Sequence, residues 1–316
     1  MRILITGAGG FVGRALVARL LDGAPVGGSG GTDCKLALLD QRLDDLPGDR
    51  NVTKFAGDLG DRALIETAIG RGVDCVFHLA SIPGGTAESN FELGLRVNLE
   101  GTVGLLEALR KSGSVPRYVF ASTIGVYGVP MPDVIDEDTV PEPSLSYGAH
   151  KLIGEILAAD YSRRGHIDGV SLRLPGIVAR PPQTSGMMSA FLSNMLREVA
   201  AGRAFTCPVS ETGISWWMSR ACLVENLLHA TALSAEQLAD RRTYLLPVLR
   251  ASMGEVVAAL GAVYDVDADS LVSYEDDPKL RAQFASYPAL ECPASLAAGF
   301  RNDGTVESLV RRALEI

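Results

Sequence analysis

The sequence predicts an α/β fold, a doubly wound parallel sheet with a smaller C-terminal α/β lobe. Two observations predict it. Up to residue 174, short apolar runs of strand length alternate with longer runs of helical periodicity, which is the pattern of a parallel sheet covered by helices on both faces. Beyond Pro175 this regularity breaks up into shorter segments, as expected for a separate lobe.

The first predicted strand, residues 3–5, runs into a glycine-rich turn. Three glycines follow at three-residue spacing: Gly7, Gly10 and Gly13. Glycines between a strand and a helix let the backbone approach a pyrophosphate, whose charge the helix N-terminus stabilises. Phe11 and Val12 lie between them and are expected to pack under the turn. The turn predicts a Rossmann-type dinucleotide site, the alternative being an ordinary glycine-rich turn.

The second predicted strand, residues 35–39, ends at Asp40. An acidic residue there accepts hydrogen bonds from the adenosine ribose and repels a 2′-phosphate, which favours NAD over NADP. Two alternatives stay open. Arg42, two residues later, could attract that phosphate, and Asp40 could be only a turn residue. The glycine-rich stretch 23–32 separates Asp40 from the turn and is expected to be a flexible surface insertion.

The rest of the first domain continues the alternation. The predicted elements are a strand ending at 58–59, a buried strand over 74–80, a loop over 81–89, a helix over 95–110, a strand over 117–123, a loop over 124–146, a helix over 147–164 and a strand over 169–174. We place a nucleotide-binding domain at 1–174, with a returning segment near 209–247 that includes a strand at its end. An interleaved substrate lobe covers 175–316, with small surface helices over 252–264 and 305–316.

Composition argues against several classes of protein. The formal net charge of −9 disfavours nonspecific binding to nucleic acid or to anionic membranes. No apolar run approaches the roughly 18–20 residues of a membrane span, and the glycine turn interrupts the apolar N-terminus too early for a signal peptide. Five scattered cysteines without a C-x-x-C pair indicate a reducing cytoplasm, and the four histidines lack metal-ligand spacing. We expect a cytoplasmic protein without a metal ion.

Tyr147 and Lys151 form a Y-x-x-x-K pattern at the start of the predicted helix over 147–164. Their i,i+4 spacing places both side chains on one helical face. The ammonium can then stabilise a phenolate, so that a phenol that ordinarily ionises near pH ~10 serves as a base close to neutrality. The pattern also occurs by chance, but the glycine-rich turn in the same chain favours the catalytic interpretation.

A set of motifs in a fixed order gives the chain a resemblance to a known family. They are Thr6–Gly13, the acidic Asp40, the pair Asp58-Leu59 that contacts adenine in the family, HisLeuAlaSer at 78–81, SerThrIleGlyValTyrGly at 122–128, and Tyr147 with Lys151. Together they resemble the extended short-chain dehydrogenase/reductases, also called the NAD-dependent epimerase/dehydratase family. The resemblance covers nearly the whole chain and implies an enzyme that uses NAD.

The resemblance also implies a role for each matched residue. Thr123, Tyr147 and Lys151 would be catalytic, and Asn98 would hold a water in a proton relay, unless it only bonds to nearby backbone. The implied cofactor-binding residues are Gly7, Gly10, Phe11, Val12, Gly13, Asp40, Asp58, Leu59, Leu79, Ala80, Tyr147, Lys151 and Pro175. Pro175 would adjoin the nicotinamide carboxamide, the alternative being a proline that merely ends its strand.

The segment after the helix of Tyr147 narrows the class of substrate that the resemblance implies. Family members that act on sugar nucleotides usually have Leu-Arg-Tyr-Phe-Asn-Val-Tyr-Gly-Pro, whereas residues 172–181 are LeuArgLeuProGlyIleValAlaArgPro, without the Asn and the aromatics. The chain resembles instead the branch that oxidises small sugar acids such as D-erythronate, with shared segments at 159–165, 172–175 and 226–230. This implies oxidation of a 2-hydroxy acid at C2. Tyr147 would take the hydroxyl proton, Thr123 would orient the same oxygen, and hydride would pass to the nicotinamide.

A small hydroxy acid needs a partner for its carboxylate. Arg180 follows the strand that is expected to end at the nicotinamide, and arginine binds carboxylates in bidentate fashion. A solvated surface arginine is the alternative. Ser81, at the end of its strand, is a second candidate donor to the substrate or else a turn serine. Trp216 and Trp217 are expected to serve packing rather than recognition.

Three functions stay open. The preferred one is an NAD-dependent dehydrogenase of a small sugar acid, with a small-molecule substrate and neither nucleic acid nor membrane as partner. The second is a sugar-nucleotide epimerase or dehydratase that keeps NAD tightly bound. The third, a non-enzymatic dinucleotide sensor, is disfavoured because Tyr147 and Lys151 are both present. The resemblance further implies a homodimer formed through the helices of Asn98 and Tyr147.

Overall fold

The computed structural model describes residues 1–28, 34–182 and 188–315. The chain forms two compact units that are interleaved in sequence. The first unit comprises Met1–Val126, Pro141–Arg173 and Val224–Tyr244. The second unit comprises Tyr127–Val140, Leu174–Leu223 and Leu245–Ile316. The segment that returns to the first unit is therefore 224–244, where the sequence suggested 209–247, and residues 127–140 belong to the second unit.

Fourteen strands form within the described residues. They are β1 (Arg2–Thr6), β2 (Lys35–Asp40), β3 (Val52–Ala56), β4 (Cys75–His78), β5 (Arg117–Thr123), β6 (Val134–Ile135), β7 (Asp168–Leu174), β8 (Gly176–Val178), β9 (Phe205–Cys207), β10 (Ile214–Ser219), β11 (Thr243–Leu245), β12 (Leu249–Ser252), β13 (Val272–Tyr274) and β14 (Ala289–Leu290). The strands predicted over 117–123 and 169–174 are thus confirmed almost to the residue.

The same described residues contain fourteen α-helices. They are α1 (Phe11–Leu21), α2 (Arg62–Ile69), α3 (Gly84–Ser89), α4 (Phe91–Gly94), α5 (Gly101–Ser112), α6 (Ser146–Arg163), α7 (Ala190–Ala200), α8 (Arg220–Ala230), α9 (Ala235–Asp240), α10 (Met253–Tyr264), α11 (Ala268–Leu271), α12 (Pro278–Phe284), α13 (Pro293–Ala297) and α14 (Val306–Leu314). A π-helical segment, Leu95–Glu100, joins α4 to α5, and a 3₁₀ turn, Ile124–Val126, follows β5. None of the helices formed by these residues is long and apolar enough to cross a membrane.

A seven-stranded sheet organises the first unit, in the order β11-β7-β5-β4-β1-β2-β3. Neighbouring strands from β3 through β5 pair in parallel. The chain order reverses between β1 and β4, and in doubly wound sheets the carboxyl ends of such a strand pair form the crevice where dinucleotides bind. The predicted fold class is confirmed, as is the late return of a strand, β11, to the main sheet.

Apolar side chains at alternate positions of the strands form a hydrophobic core on one face of this sheet. Leu4, Val76 and Phe120 belong to one buried cluster together with Leu105 and Leu109 of α5. Successive side chains of a strand point to opposite faces, so the buried residues between them face the other side. This packing fixes β1, β4 and β5 in register, and their carboxyl ends carry the residues of the candidate site.

The second unit has its own small sheet, in the order β12-β10-β8. β10 pairs antiparallel with β12 and parallel with β8. Trp216 and Trp217 of β10 are fully buried, and their indole N–H groups donate to the carbonyls of Pro288 and Ala251 at 2.9 and 3.0 Å. The expectation that both tryptophans serve packing is therefore confirmed.

The surface-helix prediction for residues 252–264 is wrong. Met253, Val256 and Leu260 of α10 are completely buried in the core of the second unit. The reason is composition, because this helix is apolar on most of its circumference and needs other elements around it. The Ser252 side chain starts the helix by capping, since its hydroxyl accepts the Glu255 N–H at 3.2 Å.

Two predictions near the first sheet also need correction. The loop expected over 81–89 contains α3, and the start of the helix expected over 95–110 is π-helical. The helix can begin here because Pro83 is extended and sits just before it, where a proline does no harm. Within the predicted insertion, Val26 is buried and the Gly27 N–H donates to the Thr231 hydroxyl at 2.8 Å, while 29–33 lie outside the described residues.

Candidate active site

The glycine-rich turn connects β1 to α1 at the carboxyl edge of the sheet. Gly7 has a φ of +74°, which glycine adopts without strain. A Cβ on Gly7 would lie 2.6 Å from the Ala80 nitrogen, and a Cβ on Gly13 would lie 2.1 Å from the Gly7 oxygen. These two glycines therefore let the turn pack against the end of β4 and against its own helix. Phe11 and Val12, both half-buried, occupy the first turn of α1.

Gly9 and Gly10 serve the turn in different ways. Gly10 is the N-cap of α1, and among the described residues a Cβ there would meet only the Gly7 oxygen, at 3.2 Å. The space beside Gly10 is thus open to a ligand. Gly9, which the sequence reasoning missed, packs on the strand-2 side, since its Cβ would lie 2.0 Å from the Arg42 oxygen. The adjacent glycines Gly9 and Gly10 were the sequence signal that the backbone packs closely at a second position of this turn.

Asp40 ends β2 directly beside this turn. Its Oδ2 accepts the Gly9 N–H at 3.0 Å, and its Oδ1 accepts the Arg42 N–H at 3.2 Å. The carboxylate thus holds the turn and also places a negative charge at the strand end where dinucleotide folds bind ribose. The turn role and the ribose role considered for Asp40 are therefore compatible in one geometry.

Asp58 and Leu59 follow β3, and the protein engages both side chains. Asp58 pairs with Arg96 at 2.9 Å and accepts the Gly60 N–H at 2.8 Å. Leu59 is buried, and a Cβ on Gly101 would lie 2.9 Å from its Cγ. These contacts attach the end of β3 to the segment around α5. Contact of either residue with adenine stays a prediction.

The chain leaves β4 through Leu79, Ala80 and Ser81, all half-buried. Asn98 in the π-helical segment holds the next residue, because its Oδ1 accepts the Ile82 N–H at 2.7 Å and its Nδ2 donates to the Ile82 carbonyl at 3.1 Å. Both ends of the Asn98 amide are thus bonded to backbone, the alternative considered for this residue. A water-holding role stays a prediction.

Thr123 and Tyr147 are brought together at the end of β5. A Cβ on Gly125 would lie 3.4 Å from Thr123 Oγ1 and 4.0 Å from Tyr147 Cδ1, so both side chains flank the same glycine. Thr123 Oγ1 accepts the Gly125 N–H at 3.0 Å. α6 reaches this position because Gly148 lacks a side chain, whose Cβ would lie 2.3 Å from the Gly125 oxygen.

Lys151 is buried one turn after Tyr147. Its Nζ donates to the Ala121 carbonyl at 2.8 Å and lies 4.9 Å from the centre of the Phe120 ring and 5.9 Å from that of Tyr147. Burial lowers the pKa of the ammonium to about 7, and the Glu155 carboxylate opposes this shift. The carbonyl and the aromatic faces stabilise the positive charge that burial disfavours.

A buried ion pair shares helix α6 with Lys151, and the sequence reasoning missed it. Glu155 pairs with Arg173 of β7 at 2.8 Å and accepts a hydrogen bond from the Ser122 hydroxyl. Ser122 directly precedes Thr123, so the pair connects the catalytic strand to the catalytic helix. A glutamate four residues after Lys151 was the only sequence sign of it, because its partner lies in another element.

Pro175 and Arg180 belong to the second unit. Pro175 is buried between β7 and β8. Arg180 is half-buried after β8, where its N–H donates to the Ser193 hydroxyl at 3.0 Å and its carbonyl accepts from the Arg197 guanidinium at 2.7 Å. The backbone of Arg180 is thus fixed within its own unit. Its contact with a substrate carboxylate and that of Pro175 with the cofactor stay predictions.

The first unit therefore gathers a phenol, an ammonium and a hydroxyl at the carboxyl end of β5. A phenolate stabilised by a nearby cation can accept the proton of an alcohol, while a threonine hydroxyl holds the same oxygen in place. In the described ranges, no group of three or more His, Cys, Asp or Glu side chains is placed to hold a metal ion. The arrangement has the chemistry of alcohol oxidation or carbonyl reduction.

Comparison with known proteins agrees with this chemistry. The model of the NAD-dependent epimerase/dehydratase family matches residues 3–218. The chain belongs to this family. D-Erythronate dehydrogenase from Cupriavidus necator is 37% identical, over 100% of this chain and 98% of that protein. D-Erythronate dehydrogenase from Haemophilus influenzae is 30% identical, over 100% and 99%.

A solved structure resembles the chain over nearly its full length. The crystal structure of a nucleoside-diphosphate-sugar epimerase from Agrobacterium tumefaciens superimposes with a TM-score of 0.89 at 35% identity, covering 98% of this chain and 92% of that one. The family resemblance given by the sequence motifs is therefore confirmed.

NAD is the cofactor of the epimerase/dehydratase family, and the residues present fit it. The turn that would hold the pyrophosphate packs its own backbone tightly at Gly7 and Gly13 and leaves space beside Gly10. The Asp40 carboxylate lies at the adjoining strand end, hydrogen-bonded to the same turn. These residues would hold the cofactor at the crevice between β1 and β4.

We expect the buried ion pair to set the pH range over which Lys151 stays charged. Glu155→Gln removes the anion that raises the pKa of Lys151, so the alkaline limb of kcat/KM should move to lower pH by about one unit or more. Arg173→Met leaves the Glu155 charge without its counter-ion, so the limb should move to higher pH. Glu198→Gln, which removes a carboxylate of the second unit, is the control. Shifts of the two test variants in the same direction would contradict the electrostatic role.

We expect Asp40 to govern cofactor choice. Asp40→Ala should weaken NAD binding because it removes both the ribose acceptor and the anchor of Gly9. Adding Gln41→Arg should improve NADP binding, since the repulsion of the 2′-phosphate is gone and a cation is present. Asp40→Asn keeps an oxygen for the Gly9 N–H and separates the two effects. Fluorescence titration gives both Kd values; a wild-type preference for NADP would assign the selection to Arg42 instead.

Proposed function

We propose that the chain is an NAD-dependent dehydrogenase that oxidises D-erythronate, a 2-hydroxy acid, at C2 to 2-dehydro-D-erythronate. The observation that carries the proposal is the match to two D-erythronate dehydrogenases over the full length of both chains. The site supports it, because Thr123, Tyr147 and Lys151 supply the acid–base groups that oxidation of an alcohol requires.

Each of these residues has a defined task in the reaction. Tyr147, as phenolate, takes the proton of the C2 hydroxyl. Lys151 stabilises that phenolate by its charge, and the Ala121 carbonyl at 2.8 Å holds the ammonium in place. Thr123 Oγ1 hydrogen-bonds the reacting oxygen and orients it. NAD, when bound, supplies the acceptor for the hydride from C2.

The carboxylate of the substrate is assigned to Arg180, with Ser81 as a further donor. A guanidinium recognises a carboxylate with two parallel hydrogen bonds, which gives specificity as well as affinity. The segment 172–181 supports a small acid, because it lacks the asparagine and the aromatics of the sugar-nucleotide members. Ser81 follows β4 and is half-buried.

Epimerisation of a nucleotide sugar is a second candidate function. The likeness to the Agrobacterium tumefaciens epimerase, at 35% identity and a TM-score of 0.89, favours it. Such an enzyme returns its NAD unchanged after each cycle, whereas a dehydrogenase converts free NAD to NADH. The absorbance of NADH during turnover therefore distinguishes the two functions.

We further propose that the enzyme is a cytoplasmic homodimer. Phe91, Ile153 and Ile156 are 56, 39 and 61% exposed. Ile153 and Ile156 lie on one face of α6, and Phe91 contacts His150 of the same helix, with 6.4 Å between the ring centres. Burial of this apolar face against its symmetry mate is the ordinary arrangement of a twofold dimer. A reducing compartment is supported by the scattered cysteines, four of which are buried.

Tyr147→Phe tests the proposed base. The variant keeps the ring and its packing but removes the hydroxyl, so kcat for D-erythronate should fall by about 10²–10⁴-fold while the Kd for NAD is retained. Tyr161→Phe removes a hydroxyl from the same helix, where it donates to Glu107, and should keep activity near wild type. Turnover by Tyr147→Phe within a few-fold of wild type would remove this residue from the mechanism.

Arg180→Ala tests the carboxylate contact. Loss of charge-assisted hydrogen bonds, worth roughly 1.5–3 kcal/mol each, should raise KM for the acid about tenfold or more and leave NAD affinity unchanged. Arg180→Lys should recover only part, because a point charge cannot reproduce the bidentate fork. Arg203→Ala, at an exposed arginine of the same unit, is the matched control. An unchanged KM for the acid would mean that another residue binds the carboxylate. Tight binding of a UDP-sugar without oxidation of any free acid would favour the epimerase function.

Ile156→Asp tests the dimer. A charge in an apolar interface is costly to bury, so light scattering should show a shift from dimer to monomer. Val115→Asp, at a residue between α5 and β5 that is 58% exposed, should leave the mass unchanged. A wild-type monomer at micromolar concentration would refute the dimer.

A further inference from the structure

A chain of hydrogen bonds crosses the interior of the first unit between the glycine-rich turn and the π-helical segment. It joins Thr6, at the end of β1, to His78, at the end of β4, and then to Thr102 of α5 and Asn98. All four side chains are at most 2% exposed. Water is therefore excluded from these groups, and each depends on its protein partners for hydrogen bonds.

The donors along this chain are determined by chemistry. The Asn98 carbonyl only accepts, so the Thr102 hydroxyl donates to it at 2.7 Å and must accept the His78 Nε2–H at 2.9 Å. His78 Nδ1 then carries no proton and accepts from the Thr6 hydroxyl at 2.6 Å. Thr6 Oγ1 in turn accepts the Ala80 N–H at 3.4 Å. Every bond points the same way, and the imidazole has one tautomer.

The imidazole can keep this role because it stays neutral. Burial, aided by the charge of Lys151, lowers the pKa of His78 to about 3. The Phe120 ring stacks on the imidazole with 5.5 Å between centres, and the same ring faces the Lys151 ammonium at 4.9 Å. A protonated His78 could no longer accept the hydrogen bond from Thr6. The direction of the hydrogen bonds therefore requires a neutral imidazole.

We propose that His78 is a positioning residue that couples the cofactor-binding turn to the substrate side of the site. At one end of the hydrogen-bond chain, His78 holds Thr6, which lies next to Gly7. The other end fixes the carbonyl of Asn98, whose side chain clamps Ile82, the residue after Ser81. His78 touches neither substrate nor cofactor; it sets the positions of the two segments that would. Only the kinetic consequence of this inference rests on the proposed function.

Nitrogen NMR of the full-length protein tests the hydrogen-bond chain through His78 directly. With ¹⁵N-labelled histidine, the four imidazoles are few enough to assign by substitution. His78 should be the neutral Nε2–H tautomer, with shifts that do not move between about pH 5.5 and 8, where an ordinary histidine titrates. A proton on Nδ1, or a titration in that range, would overturn the proposal without any reference to substrate.

Threonine variants test the coupling. Thr102→Val should raise KM for D-erythronate about tenfold, equivalent to roughly 1.4 kcal/mol, and change the Kd for NAD less than twofold. Thr6→Val should do the reverse. Thr102→Ser and Thr6→Ser restore the hydroxyls and should return both constants towards wild type.

A merely structural role predicts a different outcome. Both valine variants would then lose thermal stability and active fraction, with KM and Kd unchanged, which would refute the positioning role. If D-erythronate is not a substrate, the NMR result and the effect of Thr6→Val on the Kd for NAD still decide the inference. The failure of the proposed function and that of the inference are therefore distinguishable.

Discussion

The close packing of α6 on β5 is the constraint on which the site depends. A Cβ on Gly154 would lie 2.5 Å from the Phe120 ring, just as one on Gly148 would strike the turn at Gly125. Glycine inside a helix costs roughly 0.5–1 kcal/mol relative to alanine, so two of them in one helix weaken it locally. In return the backbone comes near enough to the strand for Tyr147 and Lys151 to reach the end of β5.

That proximity places charges in a region with little water. Lys151, Glu155 and Arg173 are buried or nearly so, and burial of an ion is unfavourable unless its partners replace the lost hydration. Here a carbonyl, two aromatic rings and a hydroxyl do so. The same low polarity strengthens the field that the ammonium exerts on the phenol. The close packing that makes burial of these charges unfavourable therefore also strengthens the effect of the ammonium on the phenol.

Local patterns explain what the sequence predicted well. Strand alternation, glycine spacing and the i,i+4 pair each involve neighbouring residues, and they located the sheet, the turn and the Tyr147–Lys151 pair. The partner of Glu155 lies 18 residues away, and that of His78 lies 72 or 24 residues away. Such pairings depend on which strands become neighbours, so no window of sequence contains them. The helix α3 and the burial of α10 likewise depend on what packs around them.

The interleaving of the two units bears on how the chain is made. It passes between them five times, after Val126, Val140, Arg173, Leu223 and Tyr244. The last strand of the large sheet, β11, is synthesised only after two segments of the second unit, 127–140 and 174–223. Domains that are continuous in sequence can fold one after another during translation. Here the first unit is complete only at Tyr244, and the second only at the end of the chain. The edge of the large sheet at β7 therefore stays unpaired until β11 is made, and it must be protected from pairing with other chains.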